Sequence, residues 1–411
     1  VDVLSRVHSA EYITFVNELS KTVQDEADSA SHVGGPTPLP LPFTPQVQKF
    51  LKHFQSQEIK SSDSCDTAFS AGTLQACRRA AGAVAHAIDM ILLGRNRNAF
   101  CVIRPPGHHV GYCGLLENGK SCGFCIFNNI AAGALHALEF HKINRVAIID
   151  LDIHHGNGTE DIVRRYGQPS RLFFFSLHLF DTEGQTGVQG YEFFPGTGAS
   201  DDTTHNIINV PIPPIWTNVN HSSGVHHGTR ASKPTLESPP RVLVGREAYR
   251  QAISQRLLPS LRAFNPDLIL LSTGFDAAQG DVGNIRYFSP SPSPSLSHSS
   301  AHVTREKGMD LTENDFMWVT TEILRVADLC CAGRVVSVLE GGYGEYIKKG
   351  KGSSKIKSSS PSLSLPLLSS PPTEKLKDDS LLDRSLLASC AVSHLKRLVD
   401  PYGYERERER E

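Results

Sequence analysis

The sequence predicts an α/β fold built around a parallel sheet, and two observations support this prediction. Short apolar runs rich in β-branched and aromatic residues alternate along the chain with longer segments that have a helical pattern, as expected for strands joined by crossover helices. Several runs also end abruptly in polar side chains, most clearly in residues 146–158 (VAIIDLDIHHGNG). The apolar half of that stretch has the composition of a strand buried on both faces, which is typical of parallel sheets.

Strands and helices are predicted largely in alternation. The predicted strands are residues 99–103, 146–149, 171–178, 207–211, 267–273 and 335–339. The predicted helices are residues 1–23, 65–93, 128–141, 247–264, 313–331 and 381–398. The helix at 65–93 is rich in Ala, which indicates close packing against the sheet.

Two low-complexity segments interrupt this pattern. Residues 217–241 and 289–302 are rich in Ser and Pro and lack periodic apolar residues, so we interpret them as surface insertions outside the core. His226 and His227 lie in the first insertion and are not assigned to a metal. The expected division of the chain is a domain at 1–347, a disordered Lys/Ser/Pro-rich segment at 348–380, and a terminal helix with a charged tail at 381–411.

Composition excludes several classes of protein. The 41 basic and 43 acidic residues nearly balance, so we expect no direct binding of nucleic acid and no attraction to a membrane surface. The sequence has no apolar run long enough to span a bilayer, and its start does not have the pattern of a signal peptide. The nine Cys are scattered and odd in number, which favours a reducing compartment; we expect the nucleus, the cytoplasm or both.

Polar side chains follow four of the predicted strands at their carboxyl ends. They are His108 and His109 after a rigid Pro-Pro-Gly turn, then Asp150, Asp152 and His154, then Asp276, and finally Tyr343. Ligand sites in parallel sheets form outside the carboxyl ends of the strands, so we expect these side chains to lie together. Each group has a plainer interpretation on its own: the acids can cap a following helix, and Phe193 and Phe194 can belong to the core as well as to a ligand wall.

Together these residue types predict a metal-dependent hydrolase. Asp152, His154 and Asp276 offer three ligands and leave one position open, which is the arrangement of a catalytic zinc site. Zinc would polarise a carbonyl and lower the pKa of a bound water. His109 or its neighbour can take the proton from that water, and Tyr343 can donate a hydrogen bond to the developing oxyanion. The predicted reaction is hydrolysis of an amide or an ester.

The motifs that carry these residues resemble, in order, those of the zinc-dependent histone deacetylase family. They are RPPGHH, GFCIFNN, DLDIHHGNGT, FFPGTG, GFDAAQGD and LEGGY, spread over residues 99–344. The resemblance implies the arginase-deacetylase fold, which is a single α/β domain around an eight-stranded parallel sheet flanked by helices. Because the chain begins near what resembles the family's VHSAEY helix, the upstream strand and helix are expected to be missing.

The resemblance also implies a role for each matching residue. The implied zinc ligands are Asp152, His154 and Asp276. The implied catalytic residues are His108, His109 as general base, Tyr343 as oxyanion donor, Asp150, and Asn157, which orients His109. Gly123, Phe124 and Phe194 are implied to line a narrow tunnel for the stem of acetyl-lysine. The implied ligands of a structural potassium ion are Asp150, Asp152, His154, Ser176 and Leu177.

Two positions indicate the branch of the family. Asn157 is the choice of class II-like members, where class I members have Asp, and Tyr343 stands where the weakly active class IIa branch has His. The pattern departs from the family at 282–283, where Val-Gly replaces the more usual Pro-Leu. An acidic residue at the pocket rim should hold the substrate backbone, and both Asp63 and Asp66 qualify.

The sequence therefore predicts a class II-like zinc deacetylase that removes acetyl groups from lysine side chains of histones or other proteins. A corepressor-type complex is a partner that the resemblance allows, although the sequence does not name one. One alternative is an acetylpolyamine or small-amide hydrolase on the same fold. In the resemblance, the polyamine-preferring branch has a Glu shortly after the GFD…GD motif, whereas no acid follows Asp281 here before Asn284. The other alternative is a catalytically silent scaffold that binds acetyl-lysine, which the full set of catalytic residues argues against.

Overall fold

The computed structural model describes residues 2–32, 39–44, 66–116, 121–181, 193–217, 242–288, 304–348 and 380–403. The strands are β1 (Leu41–Pro42), β2 (Ala68–Phe69), β3 (Asn98–Cys101), β4 (Val146–Asp150), β5 (Leu172–Leu179), β6 (Ile207–Ile212), β7 (Leu268–Thr273), β8 (Ile285–Phe288), β9 (Thr304–Lys307), β10 (Val335–Leu339), β11 (Glu345–Lys348) and β12 (Ser380–Asp383). The helices are α1 (Ala10–His32), α2 (Thr73–Leu92), α3 (Asn129–Glu139), α4 (Asn157–Tyr166), α5 (Gly245–Ala252), α6 (Leu258–Phe264), α7 (Glu313–Cys331) and α8 (Ser385–Val399).

A parallel sheet of six strands lies at the centre, in the order β3-β10-β7-β4-β5-β6. Successive side chains of a strand point to opposite faces, so a strand covered on both sides needs apolar residues throughout. In β4, Ala147 and Ile149 join the apolar cluster that includes α7, while Val146 and Ile148 join the cluster that includes α2 and α3. The sheet is therefore the middle layer between two sets of helices.

The predicted parallel sheet is confirmed, and each predicted strand occurs within one or two residues of its expected bounds. The resemblance implies eight strands, whereas six of the described segments pair in the main sheet. The short segments β1 and β2 pair with each other instead, in an antiparallel arrangement outside that sheet.

The helices follow the prediction with several differences. The helix predicted at 65–93 begins only at Thr73, after β2, and α4 was not predicted. The segment predicted as a helix at 1–23 is a 3₁₀ turn (Val3–Arg6) followed by α1, which continues to His32. The helix predicted at 247–264 is divided into α5 and α6 by a π-helical turn at Ile253–Leu257. The first four residues of the terminal helix predicted at 381–398 are not helical, because β12 pairs with β11 there. Within the described residues, no helix is both long and apolar enough to cross a membrane.

Two antiparallel hairpins flank low-complexity segments. β8 pairs with β9 on either side of the predicted insertion at 289–302, and β11 pairs with β12 on either side of the Lys/Ser/Pro-rich segment. After β12, α8 adds Cys390 and Leu398 to the same core cluster as α7. Residues 218–241, 289–303 and 349–379 lie outside the described residues, so the expected insertions, disorder and domain boundaries stay predictions.

Candidate active site

The predicted functional residues meet at one edge of the sheet. Each of four strands is followed by predicted functional residues: His108 and His109 after β3, Asp152 and His154 after β4, Asp276 after β7, and Tyr343 after β10. These four strands are parallel and adjacent in the order β3-β10-β7-β4, so their carboxyl ends lie side by side. The site forms there because residues beyond the end of a strand are no longer held in the sheet, so their side chains can converge.

Asp152, His154 and Asp276 form a buried cluster that could hold a metal ion. Their ligand atoms all lie within 4.8 Å of one another. His154 Nδ1 lies 3.0 Å from Asp152 Oδ1 and 3.1 Å from Asp276 Oδ2. Buried carboxylates that share one imidazole are costly unless a cation compensates them. One imidazole nitrogen and two carboxylates are ligands that zinc accepts, so the residues present fit such an ion.

Backbone N–H groups hold the two carboxylates in place. Gly341 N donates to Asp152 Oδ2 over 2.7 Å, and Ile153 N donates to Asp276 Oδ1 over 3.1 Å. The other oxygen of each carboxylate is thereby left beside the imidazole of His154. A Cβ at Gly341 would lie 2.1 Å from Asp276 Oδ2 and 2.6 Å from Asp152 Oδ2, so only glycine lets the backbone approach both carboxylates.

Each of the tandem histidines has its own partner. His108 Nδ1 lies 2.9 Å from Asp150 Oδ2, and His109 Nδ1 lies 2.9 Å from Asn157 Oδ1. The same Asn157 oxygen accepts from the N–H of Gly158 over 3.1 Å, which fixes it as an acceptor. His109 Nδ1 must therefore carry a proton and donate it to Asn157, which leaves Nε2 free to accept a proton.

The two imidazoles are in opposite electrostatic situations. Burial disfavours the charged form of His108, but the carboxylates of Asp150, Asp152 and Glu340 outweigh it and raise the pKa of His108 to about 10. Burial lowers the pKa of His109 well below its ordinary value, and the positive charge on His108 lowers it further. These shifts favour a charged His108 beside Asp150 and a neutral His109, and a general base must be neutral to accept a proton.

Tyr343 lies near Asp276 and Asp152 and is held through its backbone. Its ring makes an edge contact with Phe124, with the ring centroids 5.7 Å apart. Asp281 Oδ2 accepts from the N–H groups of Tyr343 and Gly344 over 2.8 and 2.7 Å, and Asp281 Oδ1 accepts from Gly283 over 2.9 Å. Asp281 is fully buried, so this one carboxylate fixes the loop that carries the tyrosine.

Glu340 is a residue of the candidate site that the sequence did not lead us to assign. It is the first residue after β10 and is fully buried. Its Oε2 accepts from Gly107 N over 2.7 Å and its Oε1 accepts from Ser272 Oγ over 3.0 Å. It therefore ties the histidine-bearing loop after β3 to the neighbouring strand β7. The acid within the LEGGY motif was the available signal, since a charged side chain at the end of a buried strand needs a partner.

The residues predicted to line the tunnel contact the catalytic candidates. Phe194 lies against His109, with ring centroids 4.8 Å apart, and Phe193 stacks on His154 at 5.0 Å. Phe193 is buried in the core, whereas Phe194 is half-buried beside His109. A Cβ at Gly123 would lie 2.3 Å from His109 Cδ2, so its bare backbone is required for this packing.

The turn at Gly123 and Phe124 depends on Asp66. Asp66 contacts Ser121 Oγ and Thr67 Oγ1. Those two hydroxyls accept in turn from the N–H groups of Gly123 and Phe124, each over 2.9 Å. The carboxylate of Asp66 is therefore engaged in supporting the wall of the site. Asp63, the other candidate for the rim, lies outside the described residues.

The residues implied to bind potassium lie on β4, β5 and the loop after β4. Asp150 pairs with Ser176 in the β4–β5 ladder, and Leu177 follows as a buried residue. Ser176 Oγ lies 3.0 Å from His178 Nδ1, so this hydroxyl already has a protein partner. The potassium ion itself stays a prediction.

Comparison with known proteins decides the family. Residues 1–350 match the model of the histone deacetylase domain family. The chain belongs to the histone deacetylase family. The motifs quoted above therefore occur in this deacetylase domain in the family's context.

Several relatives of this deacetylase domain carry names of the same kind. Type-2 histone deacetylase 2 of Dictyostelium discoideum is 32% identical over 287 residues, which are 68% of this chain and 13% of that protein. Histone deacetylase 15 of Arabidopsis thaliana is 31% identical over 293 residues, which are 70% of this chain and 40% of that protein. Histone deacetylase 9 of Homo sapiens is 31% identical over 65% of this chain and 20% of that protein. These relatives support the class II-like assignment, and the chain spans less than half of their length.

Among solved structures, the deacetylase domain resembles one titled crystal structure of HDA15 HD domain. The TM-score is 0.51 at 24% sequence identity, and the match covers 92% of this chain and 82% of the other. This likeness concerns the fold alone, and it agrees with the predicted arginase-deacetylase class.

Proposed function

We propose that this chain is a zinc-dependent lysine deacetylase that hydrolyses the acetyl amide of N6-acetyl-lysine on histones or other proteins. The observation that carries the proposal is the buried cluster of Asp152, His154 and Asp276 beside a neutral histidine and a tyrosine at one edge of the sheet. Zinc held by these three residues would polarise the acetyl carbonyl and activate water. A zinc site with one open position is suited to a hydrolase rather than to a purely structural role.

The chain's own residues supply the proton transfers. His109 Nε2 takes a proton from the attacking water and returns it to the leaving lysine amine. Asn157 holds His109 in the required tautomer, since its oxygen accepts the Nδ1 proton over 2.9 Å. His108, paired with Asp150, contributes a fixed positive charge near the reacting carbonyl, and the hydroxyl of Tyr343 donates to the oxyanion.

The walls of the site favour a lysine stem over a polyamine. Phe124 and Phe194 present apolar rings beside Tyr343 and His109, which suits the four-carbon stem of lysine. A polyamine carries free cationic amines and would gain from an acid at the rim. The stretch after Asp281 instead forms a 3₁₀ turn, Val282–Asn284, without an acidic side chain.

The wider setting rests on the relatives. Because relatives of this chain are named histone deacetylases, we propose acetylated histone tails or other acetylated proteins as substrates, a corepressor-type complex as the partner, and the nucleus, the cytoplasm or both as the location. A structural potassium ion near Asp150 and Ser176 is proposed from the family resemblance alone.

Metal analysis combined with turnover of an acetyl-lysine peptide tests the proposal. The untagged parent chain should retain zinc in this cluster and release acetate, whereas Asp276→Ala should lose the zinc of this cluster and the turnover, because one of its three ligands is gone. Asp25→Ala is a matched control, since Asp25 is exposed on α1. Full turnover by Asp276→Ala or by metal-free protein would overturn the zinc mechanism. Peptide binding without turnover in the parent would favour a silent scaffold, and a higher kcat/KM for N8-acetylspermidine would favour the polyamine alternative.

A further inference from the structure

We propose that Asp89, His136 and His141 form a second divalent metal site, separate from the candidate active site. Asp89 lies near the end of α2, His136 lies near the end of α3, and His141 lies two residues after α3. The chain runs from α2 into β3 and from α3 into β4, so the ends of these helices lie at the edge where those strands begin. The catalytic candidates follow the other ends of the same strands, so the two sites belong to opposite edges of the sheet.

The three side chains converge on one point. His136 Nε2 lies 2.7 Å from Asp89 Oδ1, and His141 Nε2 lies 2.6 Å from the same oxygen. All three ligand atoms lie within 4.8 Å of one another. Two imidazoles and one carboxylate form a donor set that suits zinc, nickel or copper. Small rotations of the side chains would open these hydrogen-bond distances to accept an ion at about 2.0–2.2 Å from each ligand.

The cluster is accessible from solvent, yet part of it is fixed. The side chain of His136 is 7% exposed, that of His141 is 17% exposed and that of Asp89 is 36% exposed. The ring of His136 stacks on Phe140 with centroids 4.8 Å apart and 11° between the planes. A buried imidazole beside two more exposed ligands would allow an ion to enter from solvent without reorganising the core.

Arg6 competes with the metal through the second nitrogen of His136. Arg6 Nη1 lies 3.2 Å from His136 Nδ1. A guanidinium can only donate, so Nδ1 accepts and the ring proton lies on Nε2, from which it is donated to Asp89. When an ion binds Nε2, that proton moves to Nδ1, and Nδ1 can no longer accept from Arg6. We therefore expect metal binding to release Arg6 from His136. Removing Arg6 should increase the affinity of the site for the metal ion.

Zinc binding to a chain without its catalytic cluster tests the site directly. In the untagged Asp276→Ala variant, addition of Zn²⁺ alone should give one bound equivalent by calorimetry or by metal analysis after gel filtration. Adding His141→Ala to this variant should remove that equivalent, because one of the three ligands is lost. Adding His86→Ala instead should leave it, since His86 is exposed on α2 one turn before Asp89.

Three further results complete the test. Co²⁺ in place of Zn²⁺ should give the visible absorption of a nitrogen- and oxygen-ligated ion in Asp276→Ala, and His141→Ala should abolish it. Arg6→Met should lower the dissociation constant in the same background. The single variant His141→Ala should deacetylate the peptide at the rate of the parent chain, because the second metal site takes no part in catalysis. The proposal is overturned if Asp276→Ala binds no Zn²⁺, or if it binds equally well with and without His141.

Discussion

Replacing Asp281 with Asn tests whether the position of Tyr343 depends on one buried carboxylate. The two carboxylate oxygens accept three backbone N–H groups, those of Tyr343, Gly344 and Gly283, over 2.7–2.9 Å. Asparagine offers one oxygen and one NH₂ group of nearly the same shape. Whichever way the amide is turned, at least one of the three N–H donors faces another donor.

The size of the effect follows from that count. One buried N–H left unpaired costs about 1–3 kcal/mol, so we expect the free energy of unfolding to fall by about that amount in Asp281→Asn. If the Tyr343 hydroxyl stabilises the transition state less by this same amount, kcat/KM falls by about 5- to 150-fold. The upper limit is the contribution of the hydroxyl itself, about 10²–10³.

A double-mutant cycle measures whether the effect acts through the tyrosine. We would determine kcat/KM on an acetyl-lysine peptide, together with unfolding by urea, for the parent, Asp281→Asn, Tyr343→Phe and the double variant. The double variant should be no slower than Tyr343→Phe alone, since the misplaced hydroxyl is already absent. Asp25→Asn on the exposed face of α1 is the control for the change of charge. The dependence of Tyr343 on Asp281 would be refuted if Asp281→Asn turned over the peptide at the parental rate. It would also be refuted if Asp281→Asn lowered kcat/KM by the same factor in the parent and in Tyr343→Phe.

Two further predictions concern a catalytic hydroxyl and acid stability. Tyr343→Phe keeps the ring contact with Phe124 but deletes the hydroxyl, so turnover should fall by about 10²–10³ while peptide affinity persists; equal turnover would exclude the hydroxyl from catalysis. Burial lowers the pKa of His8 from 6.5 to about 4. As the pH falls, His8 therefore takes up a proton in the unfolded chain before it does so in the folded chain. Up to about 3 kcal/mol of the free energy of unfolding should be lost between pH 6.5 and pH 4. In His8→Gln the loss of stability over this range should shrink, and an unchanged slope in urea titrations would contradict the assignment.

The sequence predicts which side chains lie together best where chemistry and strand pattern coincide. Asp152, His154, Asp276 and Tyr343 each follow a buried apolar run, so both their residue type and their place at a strand end indicate function. The structure brings these side chains to one edge, because the strands before them are neighbours in the sheet. That adjacency could not be derived from local pattern, since β10 comes late in the chain yet lies between β3 and β7.

The residues that hold the site were harder to predict. Glu340 and Asp281 act on backbone N–H groups of loops remote in sequence, and no spacing rule indicates such a contact. The division of the helix at 247–264 also arises locally: Pro259 has no N–H to donate and lies at the start of α6, just after the π-helical turn. The paired strands β8 and β9 were missed because the low-complexity segment between them masks the hairpin.

The sheet order has a consequence for synthesis of the chain. Among the described strands of the main sheet, β3 pairs with β10 alone, whereas β4 can pair with β5 as soon as both have been made. A ribosome adding about 5–20 residues per second would leave β3, and the histidine loop that follows it, without a strand partner for some tens of seconds. During that interval β3 is an open edge, and α8, one of the helices that contact it, has not yet been made. We therefore expect chaperones to contact β3 before any other strand of the sheet. If the chain leaves the ribosome too early, β3 is the first strand that we expect to be affected.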